Sequence, residues 1–315
     1  MRKNLGEKST RDAYGEALLR LGESDSRIVA LDADLSSSTR TGKFAEKFPD
    51  RFFNLGVAEQ NLYAVAAGMS TCGKIPFAST FAVFATERAL NQIKQCIAYP
   101  ALNVNIVATH SGFTSSGDGA SHQALTDMAF MRCLPNMTVI APADATQTEK
   151  AIRAAAAHDG PVYVRLGKID VPILFEPDSD FRIGRAVLVR EGSDITVLVT
   201  GILLSQTITA AEIAEKKGID VELIHVHTVK PIDREMLVRS ATKTRCVLTV
   251  EDHSIVGGLG SAAAEVYAQY HPVPLTMVGV ADVFGESGEI EQLYEKHGLT
   301  AAQIADKIRI AVQRK

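Results

Sequence analysis

The chain predicts an α/β fold of two consecutive doubly wound domains, each a parallel sheet covered by helices. Three observations carry that expectation. Short runs rich in Val and Ile alternate with longer helical patterns almost throughout. A break carrying Pro172, Pro177 and several acids, without a clear period, interrupts the pattern at residues 168–181, and beyond it the alternation restarts. The expected divisions are a first domain over 1–168, a linker over 169–185 and a smaller second domain over 186–315. With 315 residues and 46% hydrophobic content, two medium cores are affordable.

In the first domain the Val- and Ile-rich runs place strands at 27–31, 51–55, 75–78, 104–108, 138–141 and 161–166. Helical stretches lie between them at 10–21, 39–48, 57–70, 82–98, 124–133 and 145–157. In a sheet of this kind active residues belong in loops at the carboxyl ends of strands. The second domain repeats the scheme, with strands at 195–200, 221–226, 246–250 and 275–280. Its helices fall at 204–217, 234–241, 261–269, 289–296 and 301–313. No internal repeat or low-complexity tract is evident.

Composition excludes several classes. A net charge of −4 gives no footprint for nucleic acid or for an anionic membrane surface. Cys72, Cys96, Cys133 and Cys246 are scattered without a Cys-x-x-Cys pair and read as buried free thiols in a reducing compartment. The polar N-terminus lacks the apolar stretch of a signal sequence, and no run reaches membrane-spanning length, so a cytoplasmic protein is expected.

Two stretches concentrate chemistry. At 54–61, apolar Phe52, Phe53 and Leu55 run into Gly56, and a small-residue helix follows with Glu59 in its first turn. Apolar surroundings disfavour the carboxylate's charge, while the helix N-terminus favours it. Such an acid on its own is equally read as complementing the helix dipole. The second stretch is His110-Ser-Gly-Phe-Thr-Ser-Ser-Gly-Asp-Gly-Ala-Ser-His-Gln123, directly after the strand at 104–108. Two imidazoles, an aspartate and several hydroxyls share a glycine-rich loop, which a purely structural loop seldom needs. Without a nearby Cys or a helical His pair, zinc is not expected there.

These pieces together resemble the transketolase family of thiamine diphosphate enzymes. The resemblance covers nearly the whole chain but only the second half of a full-length transketolase. It rests, in order, on Thr10-Arg11, Ala33-Asp34-Leu35-Ser-Ser-Ser38, Gly56-Val-Ala-Glu59, Ser79-Thr80-Phe81-Ala-Val-Phe84, the 110–123 loop and Val164-Arg165. The resemblance implies that Glu59 hydrogen-bonds a ring nitrogen of the cofactor's aminopyrimidine. Sharing a proton there makes the imino tautomer accessible. It further implies that Phe81 and Phe84 wall that ring and that Asp34 lies beside the cofactor. Without the resemblance, two phenylalanines at i, i+3 would read as core. His110, Asp118 and His122 would line the substrate channel, hydrogen-bonding sugar hydroxyls and moving protons. Arg11, Ser38 and Arg165 match positions that hold the sugar phosphate, for which guanidinium forks are suited. Glu87 stands where the family often has a third aromatic wall.

Three further patterns are weaker. Gly117-Asp-Gly119 imitates the start of the family's diphosphate–magnesium motif, yet the next asparagine, Asn136, comes early and is the last in the chain. Gly258-Leu-Gly-Ser-Ala-Ala263, with Asp282 downstream, matches a nucleotide fingerprint but sits too far from its strand. His225 and His227 share a strand face without a third ligand and read as packing or interface residues. The expectation is therefore the C-terminal subunit of a split transketolase, passing a two-carbon unit from a ketose phosphate to an aldose phosphate. An N-terminal partner subunit would hold the diphosphate and its Mg (or Ca), with two copies of each chain in the assembly. The rivals are a 1-deoxyxylulose-5-phosphate synthase-like or 2-oxoacid dehydrogenase beta-like subunit, and a non-catalytic paralogue.

Overall fold

A computed structural model describes residues 5–315, so the first four residues of the 1–168 domain lie outside the described residues. Strand Ile28–Asp32 is buried at every position and pairs in parallel with Phe52–Asn54 on one side and Ile75–Phe81 on the other. Burial on both faces is why these strands read as continuous apolar runs rather than alternating ones. Across the first sheet the order is Thr228–Lys230, Thr138–Ile140, Val162–Arg165, Asn105–Thr109, Ile75–Phe81, Ile28–Asp32 and Phe52–Asn54. Helices Thr10–Ser24 and Ala145–Ala157 pack against each other, while Glu59–Thr71 packs on Ile75–Phe81. Ser9 caps the first of these by accepting from the Asp12 amide at 3.2 Å. Gly22 lets the Phe44 and Phe48 rings approach that helix; a Cβ there would lie 2.4 Å from the Phe44 ring.

The second sheet runs Leu275–Val280, Val247–Ser254, Ile195–Val199, Val221–His225 and Val187–Arg190, parallel except for the last. Helices Leu204–Glu215 and Ala301–Val312 pack on each other beside it. The α/β expectation holds, with parallel sheets and helical connections in both halves.

Strand Val187–Arg190 has no counterpart in the sequence expectation, and four further features differ from it. Strand Thr228–Lys230 leaves the second half and pairs antiparallel with Thr138–Ile140 as the edge of the first sheet. The ammonium of Lys230 fastens it by donating to the carbonyls of Arg132 and Leu134. The expected linker holds a short strand, Asp170–Pro172, paired with Glu7–Ser9. The helix expected at 82–98 is broken into a π-turn at Phe84–Arg88, a short α segment at Leu90–Gln92 and a second π-turn at Ile93–Ala98. The helix expected at 39–48 is replaced by Ser36–Thr39 and Gly42–Lys47, separated by Arg40 in the left-handed region. Among the described residues no helix is long and apolar enough to cross a membrane.

Candidate active site

Four strands of the first sheet deliver the candidate residues at their carboxyl ends, as the doubly wound arrangement requires. Asp34 follows Ile28–Asp32, Glu59 follows Phe52–Asn54, Phe81 ends Ile75–Phe81 and His110 follows Asn105–Thr109. Phe81 is in register with Thr109. That pairing brings the Phe81 ring over His110, with centroids 3.7 Å apart. Phe84 stacks on Phe81 at 5.8 Å, and His122 meets Phe84 edge-on at 5.3 Å. Phe81, Phe84, His110 and His122 thus form one aromatic cluster.

Glu59 opens helix Glu59–Thr71 and is only 4% exposed. Its Oε2 lies 3.2 Å from Nε of Arg88, a mostly exposed residue at the end of the first π-turn. Glu59 and Arg88 line an open cavity of about 500 Å³ together with Val57, Ala58, Gln60 and Asn61. A buried carboxylate facing such a cavity, with the Phe81 and Phe84 rings delivered by a strand of the same sheet, offers the acid and the apolar wall that an aminopyrimidine needs. Asp34 is exposed, has φ +64°, and is held by Asn54, whose amide donates to Oδ1 at 3.0 Å and accepts from the Asp34 N–H at 3.1 Å.

His110 is 2% exposed and sits at φ +60°, a conformation that costs a β-carbon-bearing residue about 1–3 kcal/mol. Burial, reinforced by the positive charge of Arg11, Lys168, His122 and Arg40, pushes its pKa down to about 3. The imidazole is therefore neutral at working pH. Its Nδ1 lies 2.9 Å from the Thr109 hydroxyl. The Ser115 hydroxyl lies 3.2 Å from the His110 carbonyl and 2.8 Å from that of His122, tying both ends of the loop.

Arg11 donates to the Ser38 carbonyl at 3.1 Å, and its Nε has no hydrogen-bond partner among the described residues. The Arg11 guanidinium thus keeps unused donor capacity beside Ser38. Lys168 lies 3.6 Å from Asp118, and both side chains are partly exposed. Arg165 lies deeper than a residue at the mouth of a channel. It is 4% exposed, its Nε bonds both carboxylate oxygens of Asp127 at 2.9 and 3.1 Å, and its Nη2 donates to the carbonyls of Ala124 and Asp252. Its Nε and Nη2 are thus engaged by groups inside the protein. Lys168, three residues on and just beyond a strand's carboxyl end, is a partly exposed cation that sequence reasoning passed over. Arg88 and Asn54 were also missed, and no motif marks them.

Glu87 is exposed and accepts from the Thr126 hydroxyl at 3.2 Å, so no aromatic wall stands at that position. Asn136 donates to the Ala98 carbonyl at 3.0 Å, away from Asp118. His225 and His227 are buried with centroids 6.0 Å apart, close to Phe175 and Phe181, in keeping with packing residues. At Gly258, Glu251 fills the position a nucleotide phosphate would need, accepting from the amides of Leu259 and Gly260 at 2.6 and 2.8 Å.

Comparisons agree with this geometry. The family described as "Transketolase, pyrimidine binding domain" matches residues 6–173, and "Transketolase, C-terminal domain" matches residues 184–304. A protein of Methanocaldococcus jannaschii described as a transketolase C-terminal section is 47% identical over 304 residues, covering 96% of this chain and 95% of its own. A 6-deoxy-6-sulfo-D-fructose transketolase subunit of a Clostridium species is 44% identical over 311 residues, covering 99% and 97%. A solved structure titled "Split gene transketolase, inactive beta4 tetramer" superposes with a TM-score of 0.90 at 52% identity, covering 98% of this chain and 99% of that one.

Proposed function

The chain belongs to the transketolase family, and from that premise we propose that it is the C-terminal subunit of a split transketolase, transferring a two-carbon ketol unit from a ketose phosphate to an aldose phosphate. The observation that carries this reading is the convergence of buried Glu59, the stacked Phe81 and Phe84, and the two loop histidines at one edge of the sheet. When bound, thiamine diphosphate supplies the carbon nucleophile for ketose cleavage. Glu59 holds a proton at a ring nitrogen of the aminopyrimidine, in place of its present ion pair with Arg88. Phe81 and Phe84 orient the ring, and Asp34 flanks the cofactor. Neutral His110, with His122 and Asp118, hydrogen-bonds sugar hydroxyls and moves protons at them. Arg11, Ser38 and Lys168 receive the phosphate.

An N-terminal partner subunit holds the diphosphate with Mg or Ca, because this chain's Gly117-Asp-Gly119 has no asparagine at the required distance downstream. Two copies of each chain make the working assembly. The relative described as a C-terminal section and the inactive tetramer of the solved relative both support that division of labour. A cytoplasmic setting in carbohydrate metabolism of the pentose phosphate kind belongs to the same proposal, and the exposed free thiols of Cys72 and Cys133 favour a reducing compartment. The Clostridium relative favours a second reading of the donor, a sugar ending in a sulfonate, since the same cations would accept either anion.

The test is Glu59→Gln in the enzyme reconstituted with its partner, thiamine diphosphate and magnesium. Turnover is expected to fall at least ~100-fold with the fold intact, the scale of a general acid–base role. Near-normal turnover would remove Glu59 from the chemistry. Fructose 6-phosphate and 6-deoxy-6-sulfofructose offered side by side as donors separate the two readings of the substrate.

A further inference from the structure

The loop that presents His110 and His122 is not held by its own domain alone. The Phe113 N–H donates to Oδ1 of Asp252 at 3.2 Å, and Asp252 lies on strand Val247–Ser254 of the second domain, 2% exposed. Gly112, at φ +58°, makes room for this contact, since a Cβ there would lie 2.1 Å from the Asp252 carboxylate. Asp252 is in turn held from behind. Its own carbonyl accepts from Arg165 at 2.6 Å, and its Oδ2 accepts from the Tyr294 hydroxyl at 3.4 Å. Arg165 also bonds the Ala124 carbonyl at 3.2 Å, just past the loop's far end, and is anchored on Asp127, which accepts from Tyr163 at 2.7 Å. A second tie runs from Gln123 to the carbonyls of Ser116 and Glu286, again joining loop to second domain.

We propose that Asp252, backed by Arg165, is a positioning residue through which the second domain sets the geometry of the His110–His122 loop. It touches no reacting atom; it acts by fixing Phe113 and so the backbone that carries the two imidazoles. The inference rests on the reading of those histidines as substrate-channel groups. It gives the second domain an indirect part in the reaction, although its own sheet contributes no residue to the cluster around Phe81. An acceptor buried opposite a loop amide is effective because, once removed, that amide has no water to turn to.

Two readouts test it. In hydrogen exchange on the whole chain without partner, Asp252→Ala is expected to speed exchange of the Phe113 amide at least ~10-fold, the scale of one lost buried hydrogen bond, while the amides of strand Ile28–Asp32 stay unchanged. In the reconstituted enzyme the same variant is expected to lower kcat/KM for the sugar donor ~10-fold or more, with thiamine diphosphate affinity within twofold. Asp252→Asn keeps an acceptor oxygen in place and is expected to restore most of both. Should Asp252→Ala fail to fold, Gly112→Ala pushes the loop off Asp252 and is expected to give the same pair of changes. Unchanged Phe113 exchange, faster exchange with unchanged kcat/KM, or a parallel loss of cofactor affinity would each overturn the proposal. Absence of sugar transfer by the unaltered reconstituted enzyme would instead defeat the functional reading, leaving the exchange result to decide the loop contact.

Discussion

His110 shows how far a single residue could be read in advance. The glycine-rich loop after a strand marks it as a functional imidazole, but its protonation state depends on burial and on cations brought in from three other segments. With its pKa at about 3, it stays neutral where a free histidine would titrate near 6.5. The unfolded chain takes up a proton here as pH falls through 6.5, and the folded chain does so only near 3. The stability linked to neutral His110 is therefore full above pH 6.5 and is lost as pH falls toward 3. NMR of the His110 ring, assigned with His110→Gln, is expected to show no titration between pH 5 and 8; a midpoint near 6.5 would contradict its placement. The arginines divide in the same way. Arg11→Ala and Lys168→Ala are each expected to raise KM for phosphorylated donors roughly 10-fold, the value of one charge-assisted contact, with little effect on unphosphorylated ones. Arg165→Ala is expected to lose stability, by about 3–5 kcal/mol, because it strands Asp127 and its neighbours in the interior. Thermal melts beside the kinetics distinguish the two patterns. Sequence resemblance could not separate Arg165 from Lys168, because which of two nearby cations faces the core is set by strand register and by a partner at Asp127, far along the chain.

Apolar runs bounded by helical patterns were legible, and short elements outside that alternation were not. Most parallel strands of both sheets carry enough Val, Ile and Leu to announce themselves, and Phe52 and Phe53 mark the edge strand. Thr228–Lys230 does not, since three residues give no period, and its place is decided by Val229 entering the first domain's core and by the Lys230 ammonium. The π-turns around Phe84 are equally silent, because their composition is that of any helix. Strand Thr228–Lys230 has a consequence for cooperativity. A fragment ending at residue 185 bares the Thr138–Ile140 edge and loses Val229 from its core, so it is expected to aggregate or to be digested readily. The full chain is expected to melt in one calorimetric transition. Two well-separated transitions would mean that the halves fold independently of this strand.

On the scale of the molecule, the chain builds one wall of a site. Glu59, Phe81 and His110 follow or end strands along the carboxyl edge of the first sheet, and a cavity of about 500 Å³ stands open beside Glu59, with Val57 at its rim three-quarters exposed. An open, partly apolar cavity next to a buried carboxyl group suits the proposed cover by a partner subunit. The charge to be placed there is large, since a diphosphate needs a metal and that metal's own carboxylate and amide ligands. The direct measurement is calorimetric titration of thiamine diphosphate with magnesium, first into this chain alone and then into the chain mixed with its N-terminal partner. No tight binding is expected to the chain alone, and tight, magnesium-dependent binding with transketolase turnover is expected from the mixture. Tight magnesium-dependent binding to the isolated chain, or turnover without any partner, would contradict the account.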